Sequence, residues 1–288
     1  MNTNGNTYTV IYSTVLVMVV AAVLAFAAIS LKPRQDENVK KETITKVLVA
    51  ATESSDAVNV SEDTDVMSMY AAQVRTAFYV DGNGNEAGLM ETGKDDLKKI
   101  EVATTADLKK QNDIIKQIEK GNDGLLASLR LPVYIFDIEG ESVTVIPCYG
   151  AGLWGPIWGY IAVKEDGRDI LGAIFDHKSE TPGLGAKIAE EPFYGQFKGK
   201  RFSDGQQKFS VVKGGAKDAA DGVDAVSGAT ITSRALESTI NTWVKYYEPY
   251  FTRIRQAAEA AAAAQTEEAE AAAEAAAEQE ASEAEAVK

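Results

Sequence analysis

The sequence predicts an α+β protein: one N-terminal transmembrane helix, then a mostly antiparallel sheet flanked by helices. Three observations carry this expectation. No charged side chain occurs from Met1 to Leu31. Short apolar runs separated by turn residues recur from Pro132 to Phe175, and apolar residues recur at helical spacing after Ser233. Hairpins followed by a helix favour α+β over a doubly wound parallel sheet.

Within Val10–Leu31 only Ser13, Thr14 and Ser30 are not apolar. As a helix rising ~1.5 Å per residue, this stretch spans roughly 33 Å, enough for a hydrocarbon core of ~30 Å. Tyr8 and Tyr12 lie at one end and Lys32 and Arg34 at the other, where interfacial anchors belong. The run is too long for a cleaved signal peptide and lacks its basic lead. Residues 10–31 therefore read as an uncleaved anchor in the lipid bilayer. Taken alone, the basic residues after the span would keep the rest of the chain in the cytoplasm. Asp36, Glu37 and Glu42 intermix with them and weaken that rule.

Glu37–Thr52 has a helical pattern, with Val39, Ile44, Val47 and Leu48 on one face. A polar segment, Ser54–Thr64, separates it from a second amphipathic stretch, Val66–Thr76. Asp81-Gly82-Asn83-Gly84-Asn85 is turn chemistry and lacks the closing Glu of a calcium loop. Residues 91–124 are charged and helix-compatible, an insertion or a peripheral helix. Val133–Ile138 and Ser142–Ile146 flank Glu139-Gly140 as a hairpin. Trp158–Lys164 and Asp169–Phe175 flank Glu165–Arg168 as a second. Lys187–Phe197 reads as a short helix interrupted near Pro192, and Lys208–Lys213 as a strand. From Ser233 onward, Leu236, Ile240, Trp243, Tyr247, Phe251 and Ile254 mark a helix that Pro249 ends or kinks.

The expected organisation is an N-terminal segment (1–9), the span (10–31) and a membrane-proximal helical and mixed region (32–131). A sheet-and-helix domain (132–255) follows, then an Ala/Glu-rich tail (256–288), either a solvated helix or disordered. The formal net charge is −14, of which the tail supplies −8. Such a balance argues against nucleic-acid binding, which needs a basic surface. One Cys (Cys148) and one His (His177) exclude an internal disulfide and any multi-histidine metal site.

Three segments suggest chemistry. In Asp224–Ser233, the small residues Ser227, Gly228 and Ala229 leave room at the backbone, and Thr230 presents a hydroxyl just before a helix. Helix starts carry unpaired N–H groups and partial positive charge, which suit a phosphate. Thr232 or Ser233 can cap that helix, and a plain capped entry explains the pattern equally well. In Glu180–Lys187, Thr181-Pro182-Gly183-Leu184-Gly185 forms a sharp loop able to approach a planar ligand, or a simple turn. In Tyr149–Tyr160, Trp154 and Trp158 lie amid four glycines, suited to stacking on a flat conjugated ring or to a core beside a glycine-rich bend. A glycine-rich phosphate cradle is not supported, by either a GxxxxGK(S/T) run or a strand-bound GxGxxG. His177 and Cys148 read as hydrogen-bonding and packing residues, and the Trp243, Tyr246, Tyr247 and Tyr250 group as core and helix surface.

Together the three segments resemble the FMN-binding domain family, and within it the flavin-carrying members of Na+-translocating NADH:quinone reductases. That family joins FMN to a threonine through a phosphoester in a D-x-x-S/T-G-A-T signature, which Asp224–Thr230 matches in full. The resemblance covers roughly residues 130–255 and implies FMN on Thr230, with Ser227, Gly228, Ala229 and Thr232 around it. It also implies flavin contacts from Glu180, Thr181, Gly183, Leu184 and Gly185, and from Leu153 and Trp154. It implies a single-electron relay in the inner membrane between NADH and quinone, coupled to Na+ export, with the flavin domain periplasmic. Partners would be the other membrane subunits and, during maturation, a flavin transferase. The equivalent subunit of the ion-pumping ferredoxin:NAD+ reductase complex shares the threonine signature. An anchored adaptor domain explains the anchor and the acidic tail but not the three segments.

Overall fold

A computed structural model describes residues 5–53, 55, 58, 60–61, 63–203, 208–216 and 218–286, with side chains as far as residue 266. The start of the N-terminal segment, parts of the Ser54–Thr64 connection and the end of the tail lie outside the described residues.

Helix α1 (Asn6–Thr52) runs from the apolar span straight into the amphipathic stretch, with Pro33 inside it. Its first half exposes Val10 through Leu31, as a lipid-facing helix would, and its last turns bury Ile44, Val47, Leu48, Ala50 and Ala51. It is the one helix among the described residues long and apolar enough to cross a membrane. Membrane span and sheet-packing segment are one element.

The sheet has six antiparallel strands in the order β2-β1-β3-β4-β5-β6. Strands β3 (Leu131–Ile138) and β4 (Glu141–Ala151) form the first expected hairpin. Its turn residues Glu139 and Gly140 both have positive φ, the requirement of a tight type I′ turn. Strands β5 (Pro156–Val163) and β6 (Ile170–His177) form the second. The helical reading of Val66–Thr76 is corrected: α2 ends at Gln73, and Val74–Val80 is strand β1. Strand β2 (Glu86–Leu89) pairs with β1. The β-branched and aromatic residues of Val74–Val80 pair with β3 along nearly their whole length, and that pairing overrides the local helical spacing. The sheet thus draws strands from both sides of residue 132.

Alternation along the strands builds two cores. One face packs Tyr134, Phe136, Val145, Tyr160 and Ala162 against α1 and α2 (Val66–Gln73). The other packs Leu131, Val133, Cys148, Ile157 and Phe175 against α3 (Thr105–Ile118) and α5 (Thr230–Ala286). Burial pushes the Cys148 thiol up to about 12, consistent with a packing role. The segment Lys187–Phe197 is broken as expected, with the short helix α4 (Glu191–Tyr194) between two 3-10 turns. A small parallel pair, β7 (Ser210–Val212) and β8 (Gly222–Asp224), leads into α5.

Helix α5 departs from expectation twice. It begins at Thr230 rather than near Ser233, and it runs through Pro249. Trp243, Tyr247 and Phe251 are buried on both sides of the proline, and their packing holds the helix together across the missing N–H. Trp243 Nε1 donates to Tyr149 O at 2.7 Å, and Tyr247 Oη donates to Pro132 O at 2.8 Å. The Asp81–Asn85 turn rests on this helix, where Arg253 donates to Gly84 O at 2.9 Å. A side chain on Gly84 would come within 2.5 Å of the Pro249 backbone.

Asp81 closes that turn with both oxygens, Oδ1 accepting from Asn83 N and Asn85 N and Oδ2 from Asn85 Nδ2. Burial raises its carboxyl pKa, but the hydrogen bonds from Asn85 and Asn83 prevail and hold it below 3.8. With the folded pKa depressed, its stabilising contribution is present above pH 3.8 and lost as pH falls through the folded value. Asp81→Asn is expected to melt below wild type at neutral pH. In thermal unfolding in detergent, the gap should close below pH 3.8.

Candidate flavin site

The three segments singled out from the sequence meet at one end of the sheet. The β4–β5 connection carries Gly152, Leu153, Trp154 and Gly155, closed by Gly152 N donating to Gly155 O at 2.7 Å. The loop after β6 turns at Thr181-Pro182-Gly183-Leu184, where Leu184 N donates to Thr181 O at 3.1 Å. Gly183 has φ +74°, the third-position geometry of a type II turn with proline second. The entry to α5 turns in the same way, with Ala229 N donating to Val226 O at 3.1 Å and Gly228 at φ +79°.

This second turn sets the two threonines apart. Thr230, Ser227 and Gly228 are exposed, whereas Thr232 and Ser233 are buried. Ser233 Oγ accepts from Val226 N at 3.1 Å, and Thr232 Oγ1 donates to Glu180 Oε2 at 2.7 Å. Neither side chain caps the helix as the sequence suggested, because both face back into the protein. The helix end beside the exposed Thr230 hydroxyl favours an anion.

Glu180 joins the segments. It is 4 % exposed, and its Oε1 accepts from Trp154 N at 2.9 Å while Oε2 takes the Thr232 hydroxyl. Ser179 Oγ adds a bond to Trp154 O at 2.9 Å. Glu180 thus lies behind the surface rather than on it. Around Thr230 the exposed apolar residues are Leu153, Trp154, Leu184 and Ile231. Leu184 sits beside Gly228, where an added Cβ would lie 3.1 Å from its Cδ2. Thr181 and Gly183 are exposed on the same loop, and Gly185 is buried beneath it.

Sequence reasoning missed Ile231; its signal is an apolar side chain directly after the motif threonine. It also missed Gln196, whose Oε1 accepts from Asp224 N at 2.9 Å. Asp224 Oδ1 in turn accepts from Ala216 N at 2.8 Å, so the first residue of the signature braces the strand that leads to the helix. The pairing of two indoles is corrected. Trp158 packs toward α1, with Lys46 Nζ 5.4 Å above its ring, while Trp154 is exposed in the loop. Trp158 lies within β5, whereas Trp154 precedes that strand in the connecting loop. A cleft of about 280 Å³ lined by Lys187, Gln196, Val226 and Ser227 borders the site.

The arrangement suits a phosphorylated planar ligand: an exposed hydroxyl at a helix start, glycine turns that leave the backbone open, and apolar side chains around them. Residues 152–245 match the model of the FMN-binding domain family. Over most of its length the chain is similar to the NqrC proteins of Na+-translocating NADH-quinone reductases. It is 28 % identical to that of Neisseria meningitidis serogroup B over 255 residues, covering 83 % of this chain and 91 % of the relative. To that of Vibrio anguillarum it is 27 % identical over 253 residues, with the same coverage. The crystal structure of the Parabacteroides distasonis protein of the same name superposes with a TM-score of 0.58 at 28 % identity, covering 77 % of this chain and 97 % of that one. Shewanella oneidensis NqrC gives 0.55 at 25 % identity, covering 76 % and 99 %.

The two loop glycines should separate strain from crowding. At Gly183 an added Cβ meets nothing within 4 Å but sits at positive φ, whereas at Gly185 it would lie 2.4 Å from Glu180 Oε2. Gly183→Ala is expected to cost about 1 kcal/mol. Gly185→Ala should cost about 3 kcal/mol, since the buried hydrogen bonds must open. Denaturant unfolding of the two variants checks the order.

Proposed function

We propose that this chain is the FMN-carrying electron-transfer subunit of a membrane NADH:quinone oxidoreductase coupled to Na+ export, with the flavin phosphate esterified to Thr230. The observation that carries the residue choice is the contrast between Thr230, exposed at the helix start, and Thr232, buried and bonded to Glu180. The names of the relatives support the class of complex. Bound FMN would supply one-electron chemistry at its ring. The chain's own residues would do the rest: the first turn of α5 would hold the phosphate, and Leu153, Trp154, Leu184 and Ile231 would offer apolar surface to the ring. Burial of Thr232 leaves Thr230 as the threonine of the helix start open to a flavin transferase.

Residues 10–31 anchor the protein, and the other membrane subunits of the complex are its partners. We place the flavin domain on the periplasmic side of the inner membrane, as the resemblance implies. When the chain is co-expressed with a flavin transferase, denaturing gels should show in-gel flavin fluorescence. Thr230→Ala should abolish the signal and Thr232→Ala should keep it; fluorescence surviving in Thr230→Ala would overturn the site. Protease added to intact spheroplasts should cut the domain. Complete protection from outside would reverse the orientation.

A further inference from the structure

A carboxylate as buried as Glu180 normally has a cation beside it or a functional reason to be there. Here its two oxygens are divided between a main-chain N–H of the Trp154 loop and the hydroxyl of Thr232. The backbone of Glu180 is itself fixed: its N–H donates to His177 Nδ1 at 3.2 Å, and His177 N donates to Asp176 Oδ1 at 2.7 Å. Asp176 also pairs with Lys46 of α1. Both neighbouring loops are cut close to the carboxylate. A Cβ on Gly152 would lie 2.5 Å from Oε1, and one on Gly185 2.4 Å from Oε2.

From this geometry we propose that Glu180 is a positioning residue: it sets the angle between the Trp154 loop and the first turn of α5, and so fixes how a flavin on Thr230 lies against Leu153 and Trp154. The inference rests on the Thr230 reading above. Glu180 itself does not touch the cofactor, because both its oxygens face protein donors. Its requirement is for two acceptors, or for one acceptor and one donor able to meet the rotatable Thr232 hydroxyl. Glutamine satisfies that requirement: Oε1 can accept from Trp154 N while Nε2 donates to Thr232 Oγ1. Alanine leaves the Trp154 N–H and the buried Thr232 hydroxyl without these partners.

The test uses the full chain, co-expressed with a flavin transferase and purified in detergent. Covalent load is read by in-gel fluorescence, ring setting by visible circular dichroism of the bound flavin, and folding by a thermal melt. Glu180→Ala should carry less flavin and lose most of the visible dichroism. Glu180→Gln should restore both to wild-type levels. Thr232→Val, which removes one partner at nearly constant volume, should keep full load but lose part of the dichroism. If Glu180→Ala does not melt cooperatively, the other two variants decide. Wild-type dichroism in Thr232→Val or in a folded Glu180→Ala overturns the proposal, as does loss of dichroism in Glu180→Gln. Thr230→Ala in parallel separates the two ideas: if it keeps its fluorescence, the attachment site is wrong, whatever the Glu180 variants show.

Discussion

Two donors had to be found for one buried carboxylate, and that need shapes the end of the sheet where the candidate site lies. Glu180 reaches a loop between β4 and β5 on one side and the first turn of α5 on the other. Water is excluded from it, so each oxygen depends on its protein partner. The glycines at 152 and 185 are a consequence, since any side chain there would occupy the space of the carboxylate oxygens. Three stretches of chain separated by some thirty to fifty residues are thereby held as one surface.

The contrast between Thr230 and Thr232 follows from the same constraint. Two hydroxyls two residues apart on a helix face different directions. Glu180 captures the inner one, and the outer one stays exposed among apolar side chains. Local spacing alone could not have separated them, because either can be written as a cap.

Much of the fold was legible because local chemistry and tertiary structure agree. Glu139-Gly140 reads as a hairpin turn and adopts the positive φ values that such a turn needs. Trp243, Tyr247 and Phe251 read as one helix face and lie buried together. The β1 strand was not legible: Val66–Thr76 has apolar residues at spacings that suit a helix, and only pairing with the distant β3 makes its end a strand. The start of α5 was misplaced because Ser233 looks like a cap, while its hydroxyl turns back to Val226. For the site, the small residues and the motif threonine stood out. The link through Glu180 did not, since nothing in sequence pairs residue 180 with residues 154 and 232.

The sheet separates two tasks. Its α1 face meets the anchor, with Lys46 held by Glu42 and Asp176. Its other face meets α5, whose first turn borders the candidate site. Between Leu31 and Thr43, the first buried residue of α1, the helix rises without packing on the sheet. At ~1.5 Å per residue this stalk is about 18 Å tall. Its height is written into residue count rather than into a linker of variable reach. An insertion or deletion there would raise, lower or rotate the whole carrier relative to the lipid, while leaving every contact inside the globular part as it is.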